Sequence, residues 1–572
     1  MNRRKFLKNM SLTMGAPFAL GGVPVKLLAQ QKALTQLAAQ STNDRVLVIL
    51  QMHGGNDGLN TLIPIHNYDL YRSRRPNIAI PYKNGNRTLI PLDNTLPSEA
   101  QVGLHPDMQD MKDLYDQGRV GVLQGVSYHQ NNGSHFRGRD IWFMGGGSRD
   151  YYSSGWVGRY LNYEFSPLQY PDDFPNEEMK DPLAVEIGNE VSLLFHQQDN
   201  IPTSISLGSS PQGFADLIDS LEGFGETPID AKGIPPEFMQ ETRYGKEVEW
   251  ILNLEQKSED YAERLVEVYQ QSAAPTVVYP ETYPFSNARN RLSGQFQLIS
   301  RLLEGGGPGL GVNTKVFLVK IGGFDTHADQ VVDGAPTLGG HAQRLYHIAS
   351  AVKAFQADLR ARGLEDRVLT VTMSEFGRRI ASNGSFGTDH GTGGPMMLFG
   401  KHVKPGVQGV VPDLTLSNVE MQFDYRQVFS TLLRDWLEVP RQEIEDNIFF
   451  GNFFDGERED GAGNYEALDL YEYNMDSEVT GTDFISERYG LDDPYPNPAV
   501  DSIILRFHVN GVTSVTLSLL DTSGKMVKPL HQGDYAAGKH EQRVSLAGVV
   551  PGNYLVNFAT VQNTETKPIL IR

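Results

Sequence analysis

Residues 45–60 read RVLVILQMHGGNDGLN, and this stretch decides the fold. An apolar run too short for a helix and lacking polar alternation is the pattern of a strand covered on both faces. The glycine-rich HGGNDGLN that follows at once is then a turn at the carboxyl end of that strand, where an open parallel sheet places its ligands. Similar runs recur as VGVLQGV at 120–126, KVFLVKI at 315–321, VLTVTM at 368–373 and PMMLF at 395–399. Between 315–321 and 368–373, residues 341–363 carry Leu345, Ile348, Ala349, Val352, Phe355 and Leu359 at steps of one, three and four, a helix with one apolar stripe. Strand, helix, strand is a βαβ crossover, so the first 450 residues read as one large α/β domain on a parallel sheet. Its middle, 186–307, reads as helices and long loops, with a helical pattern over 247–268 and turn-rich strings at 208–217 and 280–290.

Composition removes several functions. With 50 basic and 70 acidic residues the formal charge is −20, which leaves no basic excess to displace phosphate counterions, and nucleic-acid binding is not expected. The absence of cysteine excludes thiol catalysis, cysteine-held zinc or iron–sulfur groups, and disulfides, so any metal must be held by carboxylate, imidazole, hydroxyl or carbonyl. At the amino terminus MNRRKFLKNM is basic, and SLTMGAPFALGGVPVKLLAQ is weakly apolar and interrupted by Gly and Pro. That order is an export signal over residues 1–29. Arg3 and Arg4 resemble the twin-arginine signal, so the twin-arginine translocase is an expected partner. No stretch reaches 18 apolar residues, and no transmembrane helix is expected. The α/β domain is drawn over 40–454, an acidic linker or extension opening with DGERED over 455–494, and a β-rich module over 495–572. Short runs at 502–508, 515–520, 542–546 and 554–559 suit a small antiparallel sandwich.

Polar residues gather just past the predicted strands. Asp57 follows the first; GGFDTH at 322–327 supplies Asp325 and His327; SEFGRR at 374–379 supplies Glu375 and Arg378; GTDHG at 387–391 supplies Asp389 and His390. Hard oxygen and borderline imidazole donors converging from four segments are what an oxygen/nitrogen metal site requires. The histidines favour zinc or manganese, with magnesium and calcium left open. The string HQNNGSHFRGRD at 129–140 sets Ser134 beside His135, Arg137 and Arg139. Those residues suit a metal-activated hydroxyl in a phosphate or sulfate pocket, and equally a helix cap with surface ion pairs. Asp57 also fits a plain turn former, Asp325 and Glu375 helix caps, and Asp389 with His390 a supporting pair behind a ligand; His341 and His347 read as structural.

HGGNDGLNT at 53–61, SHFRGRDIW at 134–142, GGFDTHADQ at 322–330, SEFGRR and GTDHG together resemble the bacterial family numbered 1501 among domains of unknown function, over roughly residues 40–450. That family looks like a branch of the alkaline phosphatase and sulfatase superfamily. The resemblance implies an alkaline phosphatase-like doubly wound α/β sheet and hydrolysis of phosphate or sulfate esters at a site with one or two divalent ions. Asp57 then resembles the early metal-binding Asp, Ser134 stands in the nucleophile region, and Asp325 with His327 resembles an Asp and His pair, separated by one residue where the superfamily commonly has three. Glu375 stands where many members have adjacent Asp and His, and Phe376 follows it. His390 then supplies the late histidine, or Asp389 and His390 are themselves the adjacent pair. No Cys/Ser-x-Pro-x-Arg string of the sulfatases occurs at the candidate segment.

In the tail, YPNP at 495–498, LLDTSGKMV at 519–527, AGKHEQRVSL at 537–546 and PGNYLV at 551–556 resemble the type A sorting domain of type IX secretion in Bacteroidetes. This implies the type IX machinery as a partner and passage through the periplasm to the cell surface or beyond. The expected function is a secreted metal-dependent hydrolase of an anionic phosphate or sulfate ester. The alternative, motivated by Phe376 and the close Asp325–His327 spacing, is a noncatalytic cell-surface binding or structural protein on the same fold.

Overall fold

The computed structural model describes residues 43–207, 257–471 and 490–572, except 84, 189–190, 198–200, 258–259, 308, 492–493, 495–496, 510–512, 522–524, 536–537 and 561–563, together with 19–20 and 23–24. The export-signal stretch as a whole, the turn-rich string at 208–217 and the first part of the 247–268 helical stretch lie outside the described residues; 260–271 is helical. Two compact units divide at 472/473.

The main sheet of the first unit is built from β1 (Val46–Met52), β2 (Val120–Ser127), β3 (Ala184–Ile187), β4 (Ser204–Leu207), β5 (Val316–Ile321), β6 (Val368–Met373), β7 (Gly394–Phe399), β8 (Gly406–Gln408) and β9 (Phe423–Asp424). Among the described residues these nine form one sheet in the order β8-β2-β7-β6-β1-β5-β3-β4, with β9 also on β2. The apolar runs are continuous because alternate side chains enter different cores. Leu47 and Ile49 of β1, Val316 and Leu318 of β5, and Leu369 and Val371 of β6 face one cluster. Val46, Val48 and Leu50, with Phe317, Val319 and Val368, face the other. Helices α2 (His135–Met144), α3 (Trp156–Glu164) and α6 (Tyr425–Asp435) cover the first face. Helices α1 (Gln109–Asp116), α4 (Arg291–Glu304) and α5 (Gly340–Ala361) cover the second. Each fully buried Val, Leu, Ile or Phe contributes roughly 1.5–3 kcal/mol, so both faces must stay covered. Residues 455–471, read from sequence as the start of an acidic linker, place Tyr465, Leu468, Leu470 and Tyr471 in the first of these cores.

The sheet is mixed, which corrects the expectation of a wholly parallel one: β7 runs antiparallel to both β6 and β2. Its direction follows from the connection. The chain leaves β6 at Met373 and re-enters at Gly394 without a helical crossover, so it returns from the edge at which it left. That short connection carries Glu375, Arg378, Asp389 and His390. On the other side β1 and β5 are parallel and in register to their ends, Met52 opposite Ile321, and β6 ends with Met373 opposite Gln51. Three loops therefore start at one level, on neighbouring central strands.

The second unit contains β10 (Gly490–Leu491), β11 (Ser502–Val509), β12 (Thr513–Asp521), β13 (Met526–Tyr535), β14 (Gly538–Ser545), β15 (Gly552–Ala559) and β16 (Thr564–Ile571). They form antiparallel sheets β10-β11-β14 and β13-β12-β15-β16. Ile503, Leu505 and Phe507 alternate inward from one, and Val515, Leu517, Leu519, Val556 and Phe558 from the other, into a shared core. This is the small sandwich that the period-two pattern predicts. Among the described residues no helix is long and apolar enough to cross a membrane.

Candidate metal centre

Glu375 organises the site from below. Ser374 Oγ donates to Met52 O (3.0 Å) and accepts from Asn56 N (3.0 Å), which locks the loops after β1 and β6 together. The buried Glu375 side chain then accepts at Oε1 from Gly54 N (2.8 Å) and pairs with His135 Nδ1 (2.9 Å), while its buried Oε2 has no hydrogen bond among the described residues. Glycine is required at 54, where φ is 122° and a β-carbon would lie 2.3 Å from Asp325 N.

Three imidazoles are oriented by the same device. His135 gives Nδ1 to Glu375, His390 gives Nδ1 to Gly133 O (2.7 Å), and His327 has Nδ1 3.3 Å from Asp389 Oδ1. An imidazole that donates its Nδ1 proton to an acceptor presents a lone pair at Nε2. The three Nε2 atoms meet at Asp325: His135 Nε2 lies 3.3 Å from Oδ2, and His390 and His327 Nε2 each lie 3.2 Å from Oδ1. The Nε2 atoms of His327 and His390 are only 2.8 Å apart, and His135 Nε2 is buried with no hydrogen bond among the described residues. His135, Asp325 and His390 each offer a ligand atom within 4.8 Å of the others. Lone pairs facing one another at such distances repel unless protons or a cation lie between them, and this nitrogen-rich set with one carboxylate fits a divalent metal. Burial raises the Asp325 pKa, but bonds from Arg378 and His390 and the nearby charges outweigh it and hold the carboxyl at about 2. Asp389 is also lowered, chiefly by its bond from Asn383. Phe376 packs its buried ring 4.9 Å from His135 and 4.6 Å from His390, an apolar wall that fixes both rings.

Four other sequence candidates lie differently. Asp57 does not join the cluster: it is fully buried, 2.6 Å from Arg75 Nη1 and accepting from Gln330 Nε2 at 2.6 Å. Burial pushes its pKa up, yet Arg75, His341 and Gln330 bring it below the usual value. Arg378 is also buried; it donates to Gly55 O (2.8 Å), Thr388 O (3.0 Å), Phe324 O (2.9 Å) and Gly54 O, and reaches Asp325 Oδ1 at 2.8 Å. It ties the loops and orients Asp325, and offers no free fork to a substrate. Arg137 turns away to Ser148 O (3.1 Å) and Asp150 O. Ser134 is the N-cap of α2, its Oγ accepting from Arg137 N at 3.4 Å, with Gly133 and His135 of the cluster on either side. Arg75 and Gln330, partners of Asp57, went unnoticed in the sequence because nothing local marks them.

His341, on α5, is buried with Nε2 3.1 Å from Asn56 Oδ1. Burial lowers its pKa to about 4, more than the Asp57 charge raises it. In this state the folded chain keeps the ring neutral while the unfolded chain protonates it near 6.5. Stability is therefore expected to be full above pH 6.5 and to fall by about 3 kcal/mol for this group as pH drops toward 4. Denaturant melts at pH 7, 5.5 and 4, compared with those of His341→Gln, check it: the substitution should flatten this slope.

Residues 252–447 match the model of a family described as "Protein of unknown function (DUF1501)", and 494–572 match one described as "Secretion system C-terminal sorting domain". HGGNDGLNT and SHFRGRDIW lie ahead of the first match. No curated protein matches the chain. Similar solved structures include a Bacteroides thetaiotaomicron protein described with the metabolism of multiple glycosaminoglycans, at 8% identity, covering 91% of this chain and 88% of that one, TM-score 0.33. The PsFucS1 sulfatase from Pseudoalteromonas sp. is 11% identical over 91% of this chain and 88% of its own, TM-score 0.29. The i-CgsB protein in complex with k-i-k-neocarrahexaose is 10% identical over 82% and 84%, TM-score 0.31. The sorting domain marks the chain for handling by secretion machinery and export to the cell surface or extracellular space. Residues 252–447 thus carry the match to DUF1501, and residues 494–572 carry the match to a type IX secretion sorting domain.

Proposed function

We propose that the protein is an exported metal-dependent hydrolase of phosphate or sulfate esters. The observation that carries this reading is the convergence of His135, His327 and His390 Nε2 on Asp325, each ring fixed from behind. These four residues would hold one divalent ion, and three imidazoles favour zinc or manganese over magnesium or calcium. When bound, such an ion polarises an ester oxygen and lowers the pKa of a hydroxyl or water. With Arg137 and Arg378 both bonded to backbone carbonyls, the exposed Arg379, whose charge acts on Asp389, and Arg139, 3.7 Å from Asp140, are the guanidinium groups available to a substrate anion. Ser134, between two residues of the cluster and held by a long cap bond, is the attacking hydroxyl.

The test is hydrolysis of p-nitrophenyl phosphate and p-nitrophenyl sulfate by the purified full chain, lost on chelation and restored by zinc or manganese. Failure of both esters under every metal would leave the binding or structural alternative standing. Ser134→Ala is expected to lower turnover at least about 100-fold while costing about 1 kcal/mol of stability through the lost cap. Full metal-dependent turnover in that variant would move the attack to water.

The proposed export route draws on the signal-like start and the sorting domain. A twin-arginine translocase would carry the folded chain into the periplasm, and the sorting domain would then engage the type IX machinery. Deleting residues 495–572 is expected to strand folded protein in the periplasm with its metal content unchanged. Cell fractionation with metal analysis checks it, and undiminished surface delivery would sink the route.

A further inference from the structure

Beside the metal cluster the surface is aromatic. Phe136, the residue after His135 on α2, is 76% exposed; Tyr151 is 80% and Phe450 47% exposed. A single exposed ring needs no explanation, but these are tied together through their neighbours in the chain. Arg137 stacks its guanidinium 3.9 Å from the centre of the Tyr151 ring and donates to the carbonyls of Ser148 and Asp150, pinning that loop to the first turn of α2. Tyr152, next in the chain, meets Phe450 edge to face at 5.1 Å. Phe450 itself sits at φ 55°, a left-handed conformation that a bulky residue adopts only under constraint. Glycine would relieve that strain; the chain instead holds a large ring partly in water there. Arg149 Nη2 reaches Gln130 Oε1 at 3.3 Å, joining the same loop to the segment that leads to Gly133 and His135.

We propose that Phe136, Tyr151 and Phe450 form a strip of ring faces that binds the sugar rings of an oligosaccharide whose phosphate or sulfate ester enters the metal cluster. The proposal rests on the hydrolase reading and names its substrate class. Aromatic faces give rigid, amphipathic contact to the C–H faces of pyranoses. A lipid would require a continuous apolar surface, whereas here a guanidinium, that of Arg137, lies against the exposed Tyr151 ring, while the buried Arg159 supports Phe450 from within, 4.9 Å from its centroid. The side-chain amides of Gln130 and Asn132, both exposed on the segment before His135, suit hydroxyl groups. Arg137 is accordingly a positioning residue for Tyr151, which accounts for its turning away from the cluster.

Calorimetric titration of the metal-loaded full chain separates the two readings. The probes are sulfated carrageenan tetrasaccharide and hexasaccharide, a chondroitin sulfate tetrasaccharide, a phosphorylated mannose oligosaccharide, and methyl sulfate and methyl phosphate as ringless esters. At least one oligosaccharide should bind about tenfold or more tighter than its ringless ester, and Phe136→Ala and Tyr151→Ala should each weaken it about tenfold. Tyr151→Phe should restore binding, and the thermal midpoints of all variants should match the parent. No oligosaccharide binding tighter than the ringless esters, or binding that survives both alanine substitutions, overturns the strip. Ringless-ester hydrolysis alongside that result would leave the hydrolase reading intact. Strip-dependent binding without hydrolysis of any probe would overturn the hydrolase reading and leave the strip.

Discussion

Asp325→Ala is expected to empty the metal site. Among the described residues Asp325 is the carboxylate that meets all three Nε2 atoms, with Oδ2 3.3 Å from His135 and Oδ1 3.2 Å from both His327 and His390. Without it the neutral imidazoles have no anion to balance a divalent charge, and affinity should fall by well over the roughly 100-fold seen when a supporting residue is lost. Ester hydrolysis should vanish with the metal. The fold should survive, because Arg378 keeps its bonds to Gly55, Thr388 and Phe324 carbonyl oxygens, and losing one charge-assisted bond costs about 1.5–3 kcal/mol. Metal content after dialysis, read beside the thermal midpoint, decides it. A variant that still holds one equivalent of zinc or manganese would refute the ligand assignment.

Arg75→Ala is expected to be the most destabilising substitution named here, at about 3–5 kcal/mol, because it strands the carboxylate of Asp57 in the interior. Neither side chain is exposed at all, and they meet at 2.6 Å. Arg75 also donates to Asn60 Oδ1 (2.9 Å), Ile380 O (2.8 Å) and Arg379 O (2.8 Å), so the pair clamps the loop after β1 to the loop after β6. Removing both charges together, Asp57→Asn with Arg75→Met, should cost less than Arg75→Ala alone. Equilibrium denaturation of the three variants tests this. A loss below about 1 kcal/mol for Arg75→Ala would show that Asp57 finds another partner or a cation, returning it to consideration as a ligand.

The contrast between Asp57 and Asp325 shows where sequence reading stops. Both follow strand ends, both sit among glycines, and their local strings justify the same role. What separates them is burial: a guanidinium 18 residues away encloses Asp57, whereas Asp325, though also bonded to Arg378, keeps its oxygens facing three imidazoles. The same holds for the two arginines expected to contact substrate. Arg137 and Arg378 carry the right chemistry, but a fork of donors serves backbone carbonyls as readily as an oxyanion, and only packing selects between them.

The sequence by itself determined the strands of the α/β sheet, read at 45–52, 315–321 and 368–373, the helix, read over 341–363, the small β-sandwich, and the segments that carry the candidate metal-ligating residues. Each is written in a local pattern: apolar runs feeding two cores, a helical stripe, period-two alternation, and glycine-rich turns at strand ends. The tertiary structure decided the direction of β7, the inclusion of residues 455–471 in the first unit, the burial of Asp57 and Arg378, and the convergence of His135, His327 and His390 on one carboxylate. Those outcomes depend on contacts between residues up to hundreds of positions apart, such as His135 with Glu375 and His390 with Gly133. A side chain's residue type says which partners it can take, and only the folded chain determines which of them arrives.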